Sequence, residues 1–157
     1  MFENFRHCIY VFFISMLPVV ELRGAIPVGA AFGIHPLLNA LICIVGNMLP
    51  VPAILWLFPI VLRWMKKIPY LQKAAFWLED HVMRKTEKVS RGAAIGLFVF
   101  VAIPLPGTGA WTGSMIAALL NIRKKYAFIA IFAGVLAASC IMIGISYGVL
   151  EFLKFLL

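Results

Sequence analysis

Residues 36–62 and 126–150 of this chain contain no charged side chain. A spanning helix needs roughly 20 apolar residues to cross about 30 Å of hydrocarbon, and both stretches exceed that. In lipid the backbone must satisfy its own N–H and C=O groups, so both read as transmembrane helices. Pro50, Pro52 and Pro59 predict kinks in the first. The whole chain agrees: 64% of residues are hydrophobic and 13% charged, against about 45–50% and 25% in soluble domains. A soluble domain, a disordered chain and a disulfide-stapled secreted scaffold are excluded.

The formal charge of +8 comes from 14 Lys+Arg against 6 Asp+Glu, and it sits in loops between apolar blocks. That placement reads as positive-inside topology and not as nucleic-acid binding. Cys8, Cys43 and Cys140 lie apart in apolar context and read as small buried hydrophobes, while His7, His35 and His81 show no ligand spacing. No metal and no cofactor is expected. Arg6 and His7 before an apolar run imitate a signal peptide, but Pro18, Glu21 and Arg23 follow instead of a small-residue cleavage site.

Residues 92–122 are flanked by cations, Arg91 on one side and Arg123, Lys124 and Lys125 on the other. As one helix this block would be about 46 Å long, too long for one span and too short for two. A full crossing would also put Arg123 to Lys125 opposite the basic loop, against the positive-inside rule. A re-entrant hairpin turning at residues 104–109 (PLPGTG) resolves both conflicts, with arms of about 12–14 residues. Residues 8–34 have the same grammar: an arm ending at Pro18, a break to Pro27, a short arm ending at Ile34, and a corner at His35-Pro36. An offset of 88 residues aligns Leu17-Pro18 with Leu105-Pro106, Ala30 with Ala118, Ile34 with Ile122 and Gly46 with Gly134.

The expected fold is an all-α integral membrane protein of one domain, 1–157. Repeat 1 spans 1–62, with hairpin 8–34 and transmembrane helix 36–62. A basic cytoplasmic connector spans 63–91, and repeat 2 spans 92–157, with hairpin 92–122 and transmembrane helix 126–150. One hairpin plus one span is an odd number of crossings, so the repeats lie inverted, as in many secondary transporters. Both termini then lie outside, on a multi-pass protein of the bacterial cytoplasmic (inner) membrane. In the connector, Leu71, Ala74, Ala75, Leu78 and Val82 recur at helical spacing beside Lys73, Arg84, Lys85 and Lys88. They predict an amphipathic helix on anionic lipid, or an ordinary solvated connector. Trp64, Tyr70, Trp77 and Tyr126 suit the interface on that side.

Glu21 and Arg23 are the ionisable residues inside an apolar block, where charge is costly and marks function. They read as a protonatable carboxylate and an anion-binding guanidinium in one cavity, or as a structural ion pair satisfying the break. Gly24 and Pro27 belong to the same break; Pro104, Pro106, Gly107, Thr108, Gly109, Trp111 and Thr112 form the second. Half-helix N-termini starting near Gly24 and Gly109 would favour an anion. Trp111 either stacks on a ligand or packs in the core. Asn39 and Asn47 are weaker candidates, and Asn47 is expected to hydrogen-bond between helices.

The segments ELRGAIPVGAAFGI (residues 21–34) and IPLPGTGAWTGSMIAALL (residues 103–120) resemble the bacterial small multidrug export protein family over nearly the whole chain. In plan, two re-entrant hairpins with an acidic residue in the first are more distantly similar to DedA/VTT membrane proteins. Where a DedA-type second break has arginine, this chain has Trp111 and Thr112. The resemblance implies a transporter and not an enzyme. The expected function is secondary transport of a small or amphipathic substrate, proton-coupled through Glu21, in a homodimer within the lipid bilayer. One alternative is a flippase for an anionic lipid phosphate, using Arg23 and the half-helix N-termini. The other is a non-transporting membrane scaffold.

Overall fold

The computed structural model describes residues 2–84, 92–105 and 107–156, and among them every regular element is a helix. The first half runs through α1 (Phe2–Met16), α2 (Glu21–Ala31), α3 (Pro36–Met48) and α4 (Pro50–Lys67). Then come α5 (Pro69–Arg84), α6 (Ala93–Ala102), α7 (Ala110–Leu119) and α8 (Lys124–Leu156).

Pro36–Lys67 and Lys124–Val149 are long and apolar enough to cross a membrane. The first is α3 and α4 joined through Leu49, whose φ of −60° and ψ of −43° keep the chain helical, so Pro50 makes a kink and not a turn. Both helices run beyond the bounds expected from charge. α4 continues through Arg63 to Lys67, so the connector starts at Ile68, and α8 begins at Lys124 and carries Glu151 within it. Charge did not stop them, because long basic side chains reach water while their backbone stays helical. Lys66 and Lys67 also suit the negative end of α4.

The other helices of the two halves are short. α1 has 15 residues, α2 has 11, and α6 and α7 have 10 each. At about 1.5 Å per residue, none matches the hydrocarbon thickness. The second short helix of each half packs against the long helix of the other half, α2 on α8 and α7 on α4. Leu22, Ile26, Ile116, Ile131 and Val135 of these helices and Leu97 of α6 are almost wholly buried. The outer surface presents Leu41, Val45, Leu57, Ile60, Ile129 and Ile145, an apolar exterior suited to lipid.

Backbone geometry recurs between the halves. α2 ends with Ile34 N–H donating to the Gly29 carbonyl (3.0 Å) and Gly33 N–H donating to that of Ala30 (3.0 Å). α7 ends the same way 88 residues later, Ile122 to Ala117 (3.0 Å) and Asn121 to Ala118 (3.3 Å). Gly33 and Asn121 both take positive φ, 71° and 52°. Each corner is a Schellman motif, in which the left-handed residue lets orphan carbonyls find donors. Close approach recurs too. A Cβ on Gly46 of α3 would lie 2.7 Å from the Phe12 carbonyl of α1. One on Gly134 of α8 would lie 2.7 Å from Val101 Cβ and 3.0 Å from the Phe98 carbonyl of α6.

α5 lies in the connector, for which the sequence left an amphipathic helix and an ordinary solvated connector open, and it packs on α4 and α7, with Ala75 fully buried. Ala74 is exposed, so the apolar face is narrower than the sequence pattern, and the side chains of Leu78 and Val82 lie outside the described residues. Trp64, Tyr70, Trp77 and Tyr126 are all exposed. Of the cysteines only Cys43 is buried; Cys140 is exposed on the outer face of α8, where apolar surroundings do not require burial.

Gly46→Ala and Gly134→Ala should each destabilise the detergent-solubilised protein by about 1–3 kcal/mol, the cost of forcing atoms into a packed contact. Gly148→Ala, with nothing within 4 Å of its added Cβ, should leave the melting temperature unchanged or slightly raised. Thermal unfolding followed by circular dichroism checks all three.

Candidate functional site

The two breaks lie against each other. In the first, Leu17 N–H donates to Ile14 (3.1 Å) and Glu21 N–H donates to Leu17 (2.9 Å), so the chain turns tightly and restarts as α2 at Glu21 itself. The half-helix therefore begins three residues before the expected start near Gly24. Glu21 adopts φ 50°, in the left-handed region that side chains with a Cβ rarely enter. The carboxylate is 6% exposed. It is aimed at the start of α7, where the Trp111 N–H donates to its Oε1 at 3.2 Å. Gly109 lies directly beneath it, and a Cβ there would collide with the carboxylate. An anion at a helix N-terminus meets unpaired N–H groups and the positive end of the helix dipole.

Arg23 reaches the other side of the same break. Its guanidinium donates to the Leu105 carbonyl through Nη1 and to the Ile103 carbonyl through Nη2 at 3.4 Å. Ile103 is the C-cap of α6, so the cation sits where the helix leaves negative partial charge. Thr108 Oγ1 is within 2.8 Å of the Ile103 carbonyl and 2.9 Å of that of Leu105. The hydrogen bonds of Glu21 and Arg23 thus go to the second break and not to one another.

A cavity of about 370 Å³ opens beside this crossing. Glu21, Arg23, Gly24, Pro104, Gly107, Thr108 and Thr112 of the expected site line it, joined by Pro18, Val19, Val20 and Met142. Gly109 is buried beneath Glu21. Trp111 does not line the cavity; its indole N–H donates to the Met16 carbonyl at 3.1 Å, pinning α7 to the end of α1. Pro27 lies one turn along α2, lining a separate cavity of about 280 Å³ with Met142, Ile145, Ser146 and Val149. Pro106 lies outside the described residues.

Two features escaped the sequence. Met142 of α8 lines both cavities, and an apolar residue in an apolar span gives no signal. The other is a buried polar knot. Asn39 Nδ2 donates to the Ile26 carbonyl (2.8 Å) and to the Tyr147 hydroxyl (3.0 Å), and Tyr147 donates to the Ile34 carbonyl (2.5 Å). It ties α2, α3 and α8 together; Asn39 was a weaker candidate from the sequence, but nothing there paired it with Tyr147. Asn47 differs from expectation: it is fully buried, yet neither amide atom has a hydrogen-bond partner.

Gly109→Ala should be strongly destabilising alone but nearly harmless in a Glu21→Ala background, a coupling of about 0.5–3 kcal/mol for residues in contact. Glu21→Ala alone should cost about 0.5–2 kcal/mol, as loss of a helix N-cap does. Unfolding of the two single variants and the double variant measures the cycle, and simple additivity would mean that the carboxylate does not rest on Gly109.

No curated protein and no solved structure matches the chain. A family model described as "Putative small multi-drug export protein" matches residues 21–141, most of the chain, with the second break and the first from Glu21 onward, and the chain belongs to that family.

Proposed function

We propose that the protein is a secondary transporter that exports a small amphipathic molecule, with the cavity between the two breaks as its substrate site. The crossing carries this reading: both ionisable side chains of the first break act on the helix ends of the second, and both line one cavity. Each half is a re-entrant hairpin followed by a span, and the halves are inverted about an axis passing between Glu21 and Gly109. Matching corner hydrogen bonds 88 residues apart, and the exchanged packing of α2 on α8 and α7 on α4, support that arrangement. In the cytoplasmic membrane both termini lie outside, with the basic ends of α4 and α8 inside.

The geometry offers a proton-coupled step. The ionised Glu21 carboxylate holds the N-terminus of α7 by charge and by hydrogen bond. Protonation removes the charge and weakens that hold, so α2 and α7 can part and one repeat can rock against the other. A lipid phosphate, the substrate implied by the DedA-like plan, is the second reading; Arg23, with donors to spare, lines the cavity for it.

Single cysteines in a cysteine-free background test the topology in intact cells. Cysteine at Lys67 and at Lys125 should resist an impermeant thiol reagent until the cells are permeabilised, and cysteine at His35 should label at once. Labelling at Lys125 from outside would mean that the segment holding α6 and α7 crosses the membrane. In proteoliposomes with an imposed pH gradient, Glu21→Gln should reduce gradient-driven movement of an amphipathic dye by about tenfold or more. Equal transport by wild type, Glu21→Gln and Arg23→Gln would favour a scaffold.

A further inference from the structure

Glu21 and Arg23 line the cavity together, and among the described lining residues they are its charged side chains. Each is opposed by one helix end of the second break, the carboxylate by the N-terminus of α7 and the guanidinium by the carbonyl end of α6. Each charge thus faces a helix end of opposite sign, and the cavity keeps both a positive and a negative pole. A simple cation drawn to Glu21 meets Arg23 two positions along the chain. A simple anion drawn to Arg23 meets Glu21. In a low-dielectric setting such like-charge neighbours are strongly unfavourable.

The apolar cavity lined by Pro27 and Ile145, both exposed and so open to the outer surface, adjoins this cavity. Pro27 follows Gly24 by one turn of α2, Ile145 and Ser146 follow Met142 by one turn of α8, and Met142 lines both spaces. The Ser146 hydroxyl there has no hydrogen-bond partner. Two separate cavities, one more polar and one apolar, therefore lie next to each other in the groove between α2 and α8, with Met142 common to both.

We infer that this groove takes a zwitterionic amphiphile, its head in the cavity of Glu21 and Arg23 and its chain against Pro27, Ile145 and Val149. The inference rests on the cavity being the substrate site. Three probes with one tail and different heads separate the possibilities: octyl betaine, octyltrimethylammonium and octanoate. Saturable binding is measured by titration calorimetry on the full chain in maltoside micelles at neutral pH, with protein-free micelles as blank. Octyl betaine should bind about tenfold or more tighter than either singly charged probe. Glycine betaine, the same head without the chain, should bind about tenfold or more weakly than octyl betaine. Glu21→Gln should shift preference to octanoate, and Arg23→Gln should shift it to octyltrimethylammonium. Wild type preferring one singly charged probe overturns the inference, even if neither variant folds. Saturable binding of none of the three overturns the site itself.

Discussion

Everything in this fold is arranged around two charges placed where the chain stops being helical. A broken helix inside a membrane leaves unpaired N–H groups on one side of the break and unpaired carbonyls on the other. The second break carries no charge of its own between Ile103 and Gly109. The first break supplies it, Glu21 to the N–H end of α7 and Arg23 to the carbonyl end of α6. Each charge has its burial compensated by a helix end, and each helix end is satisfied by a charge.

This dependence explains why small residues cluster at the crossing. Gly109 is the floor on which the carboxylate rests, and any larger residue would push Glu21 away from α7. Trp111 then secures the same helix start to α1 through its indole, so α7 is held at its first turn by both α1 and α2. Farther out, the corners at Gly33 and Asn121 turn each short helix onto its long one, and Gly46 and Gly134 let α1 and α6 lie close against α3 and α8.

Much of this was legible beforehand because membranes make composition speak loudly. Charge-free blocks marked the two helices long and apolar enough to cross a membrane. Glu21 and Arg23 stood out because lipid tolerates few charges. Three things were not legible. Helix ends were misjudged at Lys67 and Lys124, since snorkelling separates where the charge lies from where the backbone stops. The partners of Glu21 and Arg23 are backbone atoms some 80 to 90 residues away, and backbone leaves no trace in the letters. Trp111 was read as a ligand platform or core residue, whereas a single hydrogen bond to Met16 decides its orientation.

The two long helices differ in one respect that packing alone conceals. α3 and α4 meet at Leu49, and Pro50 and Pro52 deprive Gly46 and Met48 of their usual amide donors. α8 has 33 residues and no proline, a rod of about 50 Å. Bending compliance is therefore divided unevenly between the two long helices. A force that opens the crossing will be absorbed as curvature in the first half, while the second answers as a stiff lever. The molecule is thus mechanically polar, with a soft side and a hard side.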